Sequence, residues 1–182
     1  MTLLLTSFAP WKAHQVSNDS DDLIMLLHDR QRLPKSTQLL RHLPVHFQLA
    51  PAQVIAALDQ HRPTTVVCCG LAETRSRLNL ERDARNPPAP CLSTSIDLPQ
   101  LADGLPWTTI SYDAGTFVCN ALYYELLSHI GKHNLSIRAL FIHVPPLTKD
   151  NREPLMTDMA RLLQRLQGQS LSILHGMGIG RN

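Results

Sequence analysis

The chain of 182 residues is long enough for one domain with a sizeable core and short for two. Its 43% of hydrophobic residues, 18% of charged residues and formal net charge of +2 argue against intrinsic disorder and against a nucleic-acid partner. No run approaches the roughly 20 apolar residues that span a bilayer, and the apolar run at residues 2–6 lacks the features of a signal peptide. We therefore expect a cytoplasmic protein with no membrane partner.

Apolar runs of strand length alternate along the chain with segments of helical period, a pattern typical of βα units around a parallel sheet. Strands are predicted at residues 3–8, 43–49, 65–70, 108–112 and 137–144. Helices are predicted at residues 20–33, 52–61, 115–132 and 154–166. We expect an α/β fold: a single-domain three-layer α/β/α sandwich, residues 1–182, with a mostly parallel, twisted central sheet.

Two regions have a weaker pattern. Residues 86–104 contain four prolines, so we expect an extended surface loop with at most one short helical turn, which could border a functional site. Residues 168–182 are rich in glycine, and they are expected to form either a small strand at 171–174 or a loosely packed tail.

Cys119 lies where a Gly-Thr turn meets the start of a predicted amphipathic helix. A thiol at that point is close to unpaired backbone N–H groups and to the positive end of the helix dipole, which stabilise a thiolate and an oxyanion. His143 follows about two dozen residues later, at the C-terminal end of an apolar strand, where open α/β sheets present functional groups. A cysteine and a histidine on neighbouring elements are typical of thiol hydrolases, so we predict Cys119 as nucleophile and His143 as its proton acceptor and donor.

Such a pair usually needs a third group to orient the imidazole, and Glu81 is the best carboxylate candidate. It alternates with Leu78 and Leu80, which predicts a short extended element near the sheet edge. The competing interpretation is a solvated glutamate paired with Arg77 or Arg82.

The other three cysteines, Cys68, Cys69 and Cys91, are interpreted as inert small hydrophobic residues. The spacing of the four cysteines fits neither a disulfide framework nor a zinc site, and the sequence calls for no metal or cofactor.

These segments together resemble the pyroglutamyl peptidase I family of cysteine peptidases, also called pyrrolidone-carboxylate peptidases, over most of the chain. The strongest matches are Ala114-Gly-Thr-Phe-Val-Cys-Asn120, which agrees with the family's nucleophile motif, and Phe141-Ile-His-Val-Pro145, which agrees with its histidine motif. Weaker matches are the N-terminal segment 6–11, Leu43-Pro-Val45, and residues 70–75 leading to Glu81-Arg82.

The resemblance implies a cysteine-type omega-peptidase that hydrolyses the amide after an N-terminal pyroglutamyl residue of a small peptide, through a thioester and without a metal. Cys119 is then the nucleophile, His143 the general base and acid, and Glu81 the group that orients His143. Family members commonly assemble into dimers or tetramers, so a homo-oligomer is left open.

The resemblance also implies which residues contact the lactam ring. It assigns ring contact to aromatic side chains of the N-terminal segment and beside the nucleophile, here Phe8, Trp11 and Phe117. The family's backbone segment that lies near the lactam ring corresponds here to the segment from Leu71 to Arg75. For Arg75 two interpretations stay open: a salt bridge that fixes the turn, or a residue that shapes the site.

The chain departs from the family's pattern in the two loops nearest the expected ring site. Lys12 and Ala13 stand where the family has two glycines, and Glu73 and Thr74 stand where it has two more. Asp83 places a charge where the family pattern is apolar, and the segment that follows is shorter than is usual in the family. These departures leave open a divergent member that acts on another small amide, or that binds a lactam-like or peptide ligand without turnover.

Overall fold

The computed structural model describes residues 2–13 and 15–168. Its eight strands are β1 (Leu3–Phe8), β2 (Thr37–Leu43), β3 (Thr65–Leu71), β4 (Leu78–Glu81), β5 (Asp83–Ala84), β6 (Leu92–Ser93), β7 (Thr108–Ser111) and β8 (Arg138–Val144). Six of them form the central sheet in the order β2-β1-β3-β8-β4-β7, and β5 pairs with β6. Every neighbouring pair in the central sheet is parallel except β4 with β8.

Helices cover both faces of this sheet. They are α1 (Asp19–Asp29), α2 (Leu49–His61), α3 (Leu98–Ala102), α4 (Val118–Lys132) and α5 (Arg152–Gly168). The apolar side chains of α1, α3 and α5 share one core cluster, and those of α2 and α4 share a second. The predicted three-layer α/β/α sandwich with a mostly parallel sheet is confirmed.

The period of two along each strand decides which core a side chain enters. In β8, Leu140 belongs to the α1/α5 core and Phe141 to the α2/α4 core, so His143 lies on the α2/α4 face. Gly70 of β3 is opposite His143, and Glu81 of β4 is opposite Phe141. The candidate histidine and carboxylate therefore share the face of the sheet that α4 covers.

The strand predicted at residues 43–49 is wrong. β2 ends at Leu43, a loop follows, and α2 begins at Leu49. Pro44 has no N–H to donate to a strand ladder, and His46 Nδ1 accepts hydrogen bonds of 3.2 and 3.3 Å from two backbone N–H groups at the start of α2. β2 is an edge strand with few buried side chains, so its own apolar pattern is weak.

The other predicted strands and helices correspond to observed ones with small shifts at their ends. The short element expected around Glu81 is β4, which lies between β8 and the edge strand β7. Residues 86–104 hold one short helix, α3, as expected, but also the unpredicted short strand β6, and Leu98 and Leu101 are buried in the α1/α5 core instead of lying in a surface loop. The strand or tail predicted within 168–182 falls almost entirely outside the described residues. Within the described part of the chain, no helix is long and apolar enough to cross a membrane.

Candidate active site

Glu81 and His143 form a buried pair between β4 and β8. Glu81 Oε1 lies 2.8 Å from His143 Nδ1, and the two side chains are 0% and 9% exposed. Antiparallel pairing makes them diagonal neighbours on one face of the sheet, within reach of such long side chains. A carboxylate on Nδ1 favours the tautomer with its proton on that nitrogen, which leaves Nε2 free to act as a base.

Cys119 is the second residue of α4, whose N-cap residue Phe117 makes no side-chain capping hydrogen bond. Its sulfur rests directly over Gly70: a Cβ placed on Gly70 would lie 2.7 Å from Cys119 Sγ. Because Gly70 is opposite His143 in the β3–β8 register, the sulfur sits over the strand position beside the histidine. Both residues are described, and their side chains make no hydrogen bond to each other.

The protonation state of Cys119 differs from the expectation. Burial raises the pKa of the Cys119 thiol to about 12, and the neighbouring Cys68 and Glu81 act in the same direction. A backbone N–H at the helix start lowers the pKa, as predicted, but the loss of water has the larger effect. Burial therefore favours the neutral form of the Cys119 thiol, so a base is required to deprotonate it.

A small apolar pocket lies beside Cys119. Its lining residues are Phe8, Trp11, Asn18, Val45, Leu71, Phe117, Val118 and Cys119. The walls come from the loops after β1 and β2, from the end of β3 and from the start of α4. The structure thus brings together four of the five residues predicted to contact substrate. The sequence suggested that residues 86–104 could border the site. None of them lines this pocket.

Arg75 is the predicted contact that does not line the pocket. Its guanidinium is exposed and donates a hydrogen bond of 3.4 Å to the backbone carbonyl of Asp113. Among the described residues Arg75 forms no ion pair, so the salt bridge considered from the sequence is absent as well. Its contact ties the loop after β3 to the segment that leads into α4.

Three lining residues, Asn18, Val45 and Val118, were missed as site residues by sequence reasoning. Asn18 is 1% exposed and caps α1, since its Oδ1 accepts from the backbone N–H of Ser20 at 3.1 Å. Its Nδ2 donates to the carbonyl of Ala9 at 3.3 Å, which closes the loop after β1. An asparagine followed by an acidic first turn is a helix-start signal, and that signal could have placed Asn18 at this edge of the sheet.

Asn120, next to the nucleophile candidate, has a positioning contact that the sequence did not reveal. It is 7% exposed, its Oδ1 accepts from Arg85 N at 2.9 Å, and its Nδ2 donates to Arg85 O at 2.7 Å. One turn further along α4, Tyr123 Oη donates to the backbone carbonyl of Glu81 at 3.0 Å. These contacts fasten the helix that carries Cys119 to the chain segment that carries Glu81.

Within the described residues, no group of three or more His, Cys, Asp and Glu side chains is placed to hold a metal ion. A buried carboxylate–histidine pair beside a cysteine at a helix start is typical of acid–base and nucleophilic chemistry, as in a cysteine hydrolase. A family model described as pyroglutamyl peptidase matches residues 1–92 and 96–157. The chain belongs to the pyroglutamyl peptidase family.

Individual relatives agree with this assignment. The chain is 35% identical over 173 residues to a pyrrolidone-carboxylate peptidase of Gloeobacter violaceus, covering 81% of this chain and 82% of the relative. It is 32% identical over 181 residues to the pyrrolidone-carboxylate peptidase of Bacillus licheniformis, covering 84% and 83%.

Solved structures show the same fold. The pyroglutamyl peptidase I of Bacillus amyloliquefaciens superposes with a TM-score of 0.77 at 22% identity, over 89% of this chain and 94% of that one. The pyrrolidone carboxyl peptidase of Thermococcus litoralis gives a TM-score of 0.75 at 23% identity, over 100% and 99%.

Proposed function

We propose that this chain is an omega-peptidase that hydrolyses the amide bond after an N-terminal pyroglutamyl residue of small peptides. One observation carries the proposal: Cys119 lines a small apolar pocket with aromatic walls, and its sulfur lies over Gly70, the strand position opposite His143 of the Glu81–His143 pair. Its relatives named as pyrrolidone-carboxylate peptidases support the same activity.

The pocket suits a compact, uncharged ring. Phe8 is 3% exposed and sits at the end of β1, while Trp11 and Phe117 come from two different loops. Phe117 is supported from outside by Phe47, whose ring meets it edge to face at a centroid distance of 5.7 Å. The flat apolar walls favour the neutral lactam of a pyroglutamyl group over a charged N-terminal amine, which would lose its hydration there.

The proposed reaction is acyl transfer through the thiol. His143 Nε2 removes the proton from Cys119 as the sulfur attacks the pyroglutamyl carbonyl, and the backbone N–H groups at the start of α4 stabilise the oxyanion. The resulting imidazolium, held by Glu81, gives that proton to the departing amine as the C–N bond breaks. A water molecule, deprotonated by His143, then cleaves the thioester and restores the thiol.

Burial raises the pKa of the Cys119 thiol, which favours proton transfer to His143 during the attack of the sulfur. Glu81 assists because it stabilises the positive charge that forms on the imidazole.

We further propose that the peptidase is cytoplasmic. The four cysteines lie within the described residues and all of them are free thiols, which suits a reducing compartment. A homo-oligomer, and the absence of nucleic-acid and membrane partners, stay predictions from the sequence and the resemblance.

The activity can be tested with two fluorogenic amides in reducing buffer, pyroglutamyl-aminomethylcoumarin and prolyl-aminomethylcoumarin. The pyroglutamyl ring has a carbonyl group and an uncharged nitrogen, whereas the prolyl ring lacks the carbonyl and its nitrogen is protonated. We expect release of the fluorophore from the first compound alone. If the folded protein releases none from the pyroglutamyl compound, the proposal is wrong and other small amides become the substrates to screen.

A further inference from the structure

An ion pair joins two of the loops that form the candidate pocket. Lys12 Nζ lies 2.6 Å from both Oε1 and Oε2 of Glu73, with the two side chains 37% and 47% exposed. Lys12 directly follows Trp11 in the loop after β1, and Glu73 lies two residues beyond Leu71 in the loop after β3. Trp11 and Leu71 both line the pocket, so the pair links two of its walls.

The loop around Trp11 is otherwise held mainly by its own atoms. The backbone N–H groups of Trp11 and Lys12 both donate to Gln15 Oε1, at 3.1 and 3.2 Å, and the N–H of Gln15 donates to the Lys12 carbonyl at 2.9 Å. For the described residues 11–13 and 15, the contact with Glu73 is the one hydrogen bond or ion pair that reaches another element. Among these described residues, the contact with Glu73 is therefore the polar link to the loop after β3.

The same ammonium also contacts the pocket wall. Lys12 Nζ stands 5.6 Å from the centroid of the Trp11 ring, within the range of a cation–π interaction. Glu73 fixes the ammonium and the ammonium in turn restrains the indole, so the ion pair acts on a side chain that lines the pocket.

The two charges replace residues that could not make this contact. The family motifs that the chain resembles have glycine at the positions of Lys12 and Glu73, and glycine has no side chain with which to form a bond between loops. In this chain one loop carries a cation and the other an anion, and the two groups meet at hydrogen-bond distance.

We propose that Lys12 and Glu73 are positioning residues that hold Trp11 against the pocket and thereby set the affinity for the pyroglutamyl ring. The inference rests on the proposed function. An ion pair this exposed contributes little to overall stability, so its effect is local and appears in KM, with kcat and Tm nearly unchanged.

The test compares Lys12→Met, Glu73→Gln, the double variant and the reversed pair Lys12→Glu/Glu73→Lys, using pyroglutamyl-aminomethylcoumarin. Each single variant is expected to raise KM about two- to five-fold, the fold-change that an exposed ion pair can supply. The double variant should be no worse than the singles, and the reversed pair should recover much of the loss. High salt should raise KM for the natural protein and not for the neutral double variant, since exposed charges are screened.

Arg30→Met is the matched control, because Arg30 and Glu153 form an ion pair of similar exposure between α1 and α5. It should leave KM unchanged. The inference is overturned if KM is unaffected in the single variants, if Arg30→Met shifts it equally, or if kcat alone falls. It is also overturned if Glu73→Gln tightens binding of peptides with a free carboxylate, since Lys12 would then be an anion site for substrate.

A second readout does not depend on turnover. In a Trp107→Phe background, acrylamide quenching of Trp11 fluorescence should increase when either member of the pair is neutralised and return toward its original value in the reversed pair. If the natural protein cleaves no pyroglutamyl amide, the proposed function fails, while quenching still reports whether the pair positions Trp11. Unchanged quenching in both single variants would overturn the positioning role itself.

Discussion

At the scale of single residues, the approach of Cys119 to His143 depends on the absence of a side chain at residue 70. A methyl group there would lie 2.7 Å from Cys119 Sγ and 2.9 Å from the ring of Phe141. Neither neighbour can yield easily, because Phe141 is fully buried and Cys119 is fixed at the start of α4. Gly70 thus contributes to the candidate site because its lack of a side chain leaves room for the sulfur of Cys119.

We predict that Gly70→Ala lowers kcat by about 100-fold, since a displacement near 1 Å at a reacting group can have that effect. Overpacking should also cost about 1–3 kcal/mol of unfolding free energy. Gly131→Ala is the control: nothing lies within 4 Å of its added methyl, so activity should be unchanged. Steady-state kinetics and urea unfolding check both variants, and normal kcat in Gly70→Ala would contradict the assigned geometry.

Glu81 is the second residue whose role can be isolated. Glu81→Gln keeps the size of the side chain but removes the charge that stabilises the imidazolium, so kcat should fall about 100-fold or more while KM changes little. Glu125→Gln, an exposed glutamate on α4, should behave like the natural protein. Equal kcat in Glu81→Gln and Glu125→Gln would show that the carboxylate does not assist His143.

Residues of the site could be predicted from the sequence where a local pattern marked them. Cys119 stands out by its turn and helix start, His143 by its strand end, and Glu81 by its alternation with Leu78 and Leu80. Gly70 and Asn120 carry no such mark, because their importance comes from the β3–β8 register and from a contact across 35 residues of chain. The raised pKa of Cys119 was also beyond sequence reasoning, since burial is a property of the folded chain.

At the scale of elements, α4 is the part that must be placed most accurately, because it brings Cys119 to a pair located on two strands. Asn120 and Tyr123 lie on one side of this helix and bond the backbone of the segment from Glu81 to Arg85. These contacts therefore help to fix the position of Cys119 relative to Glu81.

We predict that Asn120→Ala costs about 1–3 kcal/mol of unfolding free energy, because two backbone groups of Arg85 lose their partner. The helix start should also loosen, which lowers kcat about ten-fold or more with a smaller effect on KM. Asn86→Ala, an exposed asparagine one residue from Arg85, is the matched control and should change neither quantity. A loss of stability with unchanged kcat would leave Asn120 a purely structural residue.

Elements with strong local patterns were predicted well, and those without were not. The buried strands β1, β3 and β8 have near-continuous apolar runs, and α4 and α5 have clear apolar stripes. β2 was misplaced because residues 43–49 alternate apolar and polar side chains as a half-buried strand does, whereas the edge strand β2 has no such alternation. β4 has four residues and antiparallel pairing, and only the completed sheet shows that it brings Glu81 to His143.

At the scale of the whole molecule, several buried groups on the α2/α4 side of the sheet resist ionisation. Burial raises the pKa of Cys68 and of Cys119 to about 12, and it raises the pKa of Tyr123 as well. The folded chain keeps these protons at a pH where the unfolded chain has released them. The buried neutral thiols therefore add to the free energy of unfolding. Their contribution is fully present below the thiol's ordinary pKa of 9.0 and is lost as pH rises toward about 12.

We therefore predict that the unfolding free energy declines between pH of about 9 and about 12, with each such thiol adding up to about 1.4 kcal/mol per pH unit to the slope. Cys68→Ala should reduce the slope by one such contribution. Cys91→Ala is the control, because Cys91 is exposed and its removal should leave the slope unchanged. Urea unfolding at several pH values makes the comparison, and equal slopes for the two variants would contradict the account.

The central claim is that Cys119 is the nucleophile of a pyroglutamyl peptidase. The most direct measurement is the rate of hydrolysis of pyroglutamyl-aminomethylcoumarin by Cys119→Ala relative to the natural protein, with circular dichroism to verify that both are folded. The account predicts hydrolysis by the natural protein and none above background by the variant. Hydrolysis at the natural rate by folded Cys119→Ala would contradict it.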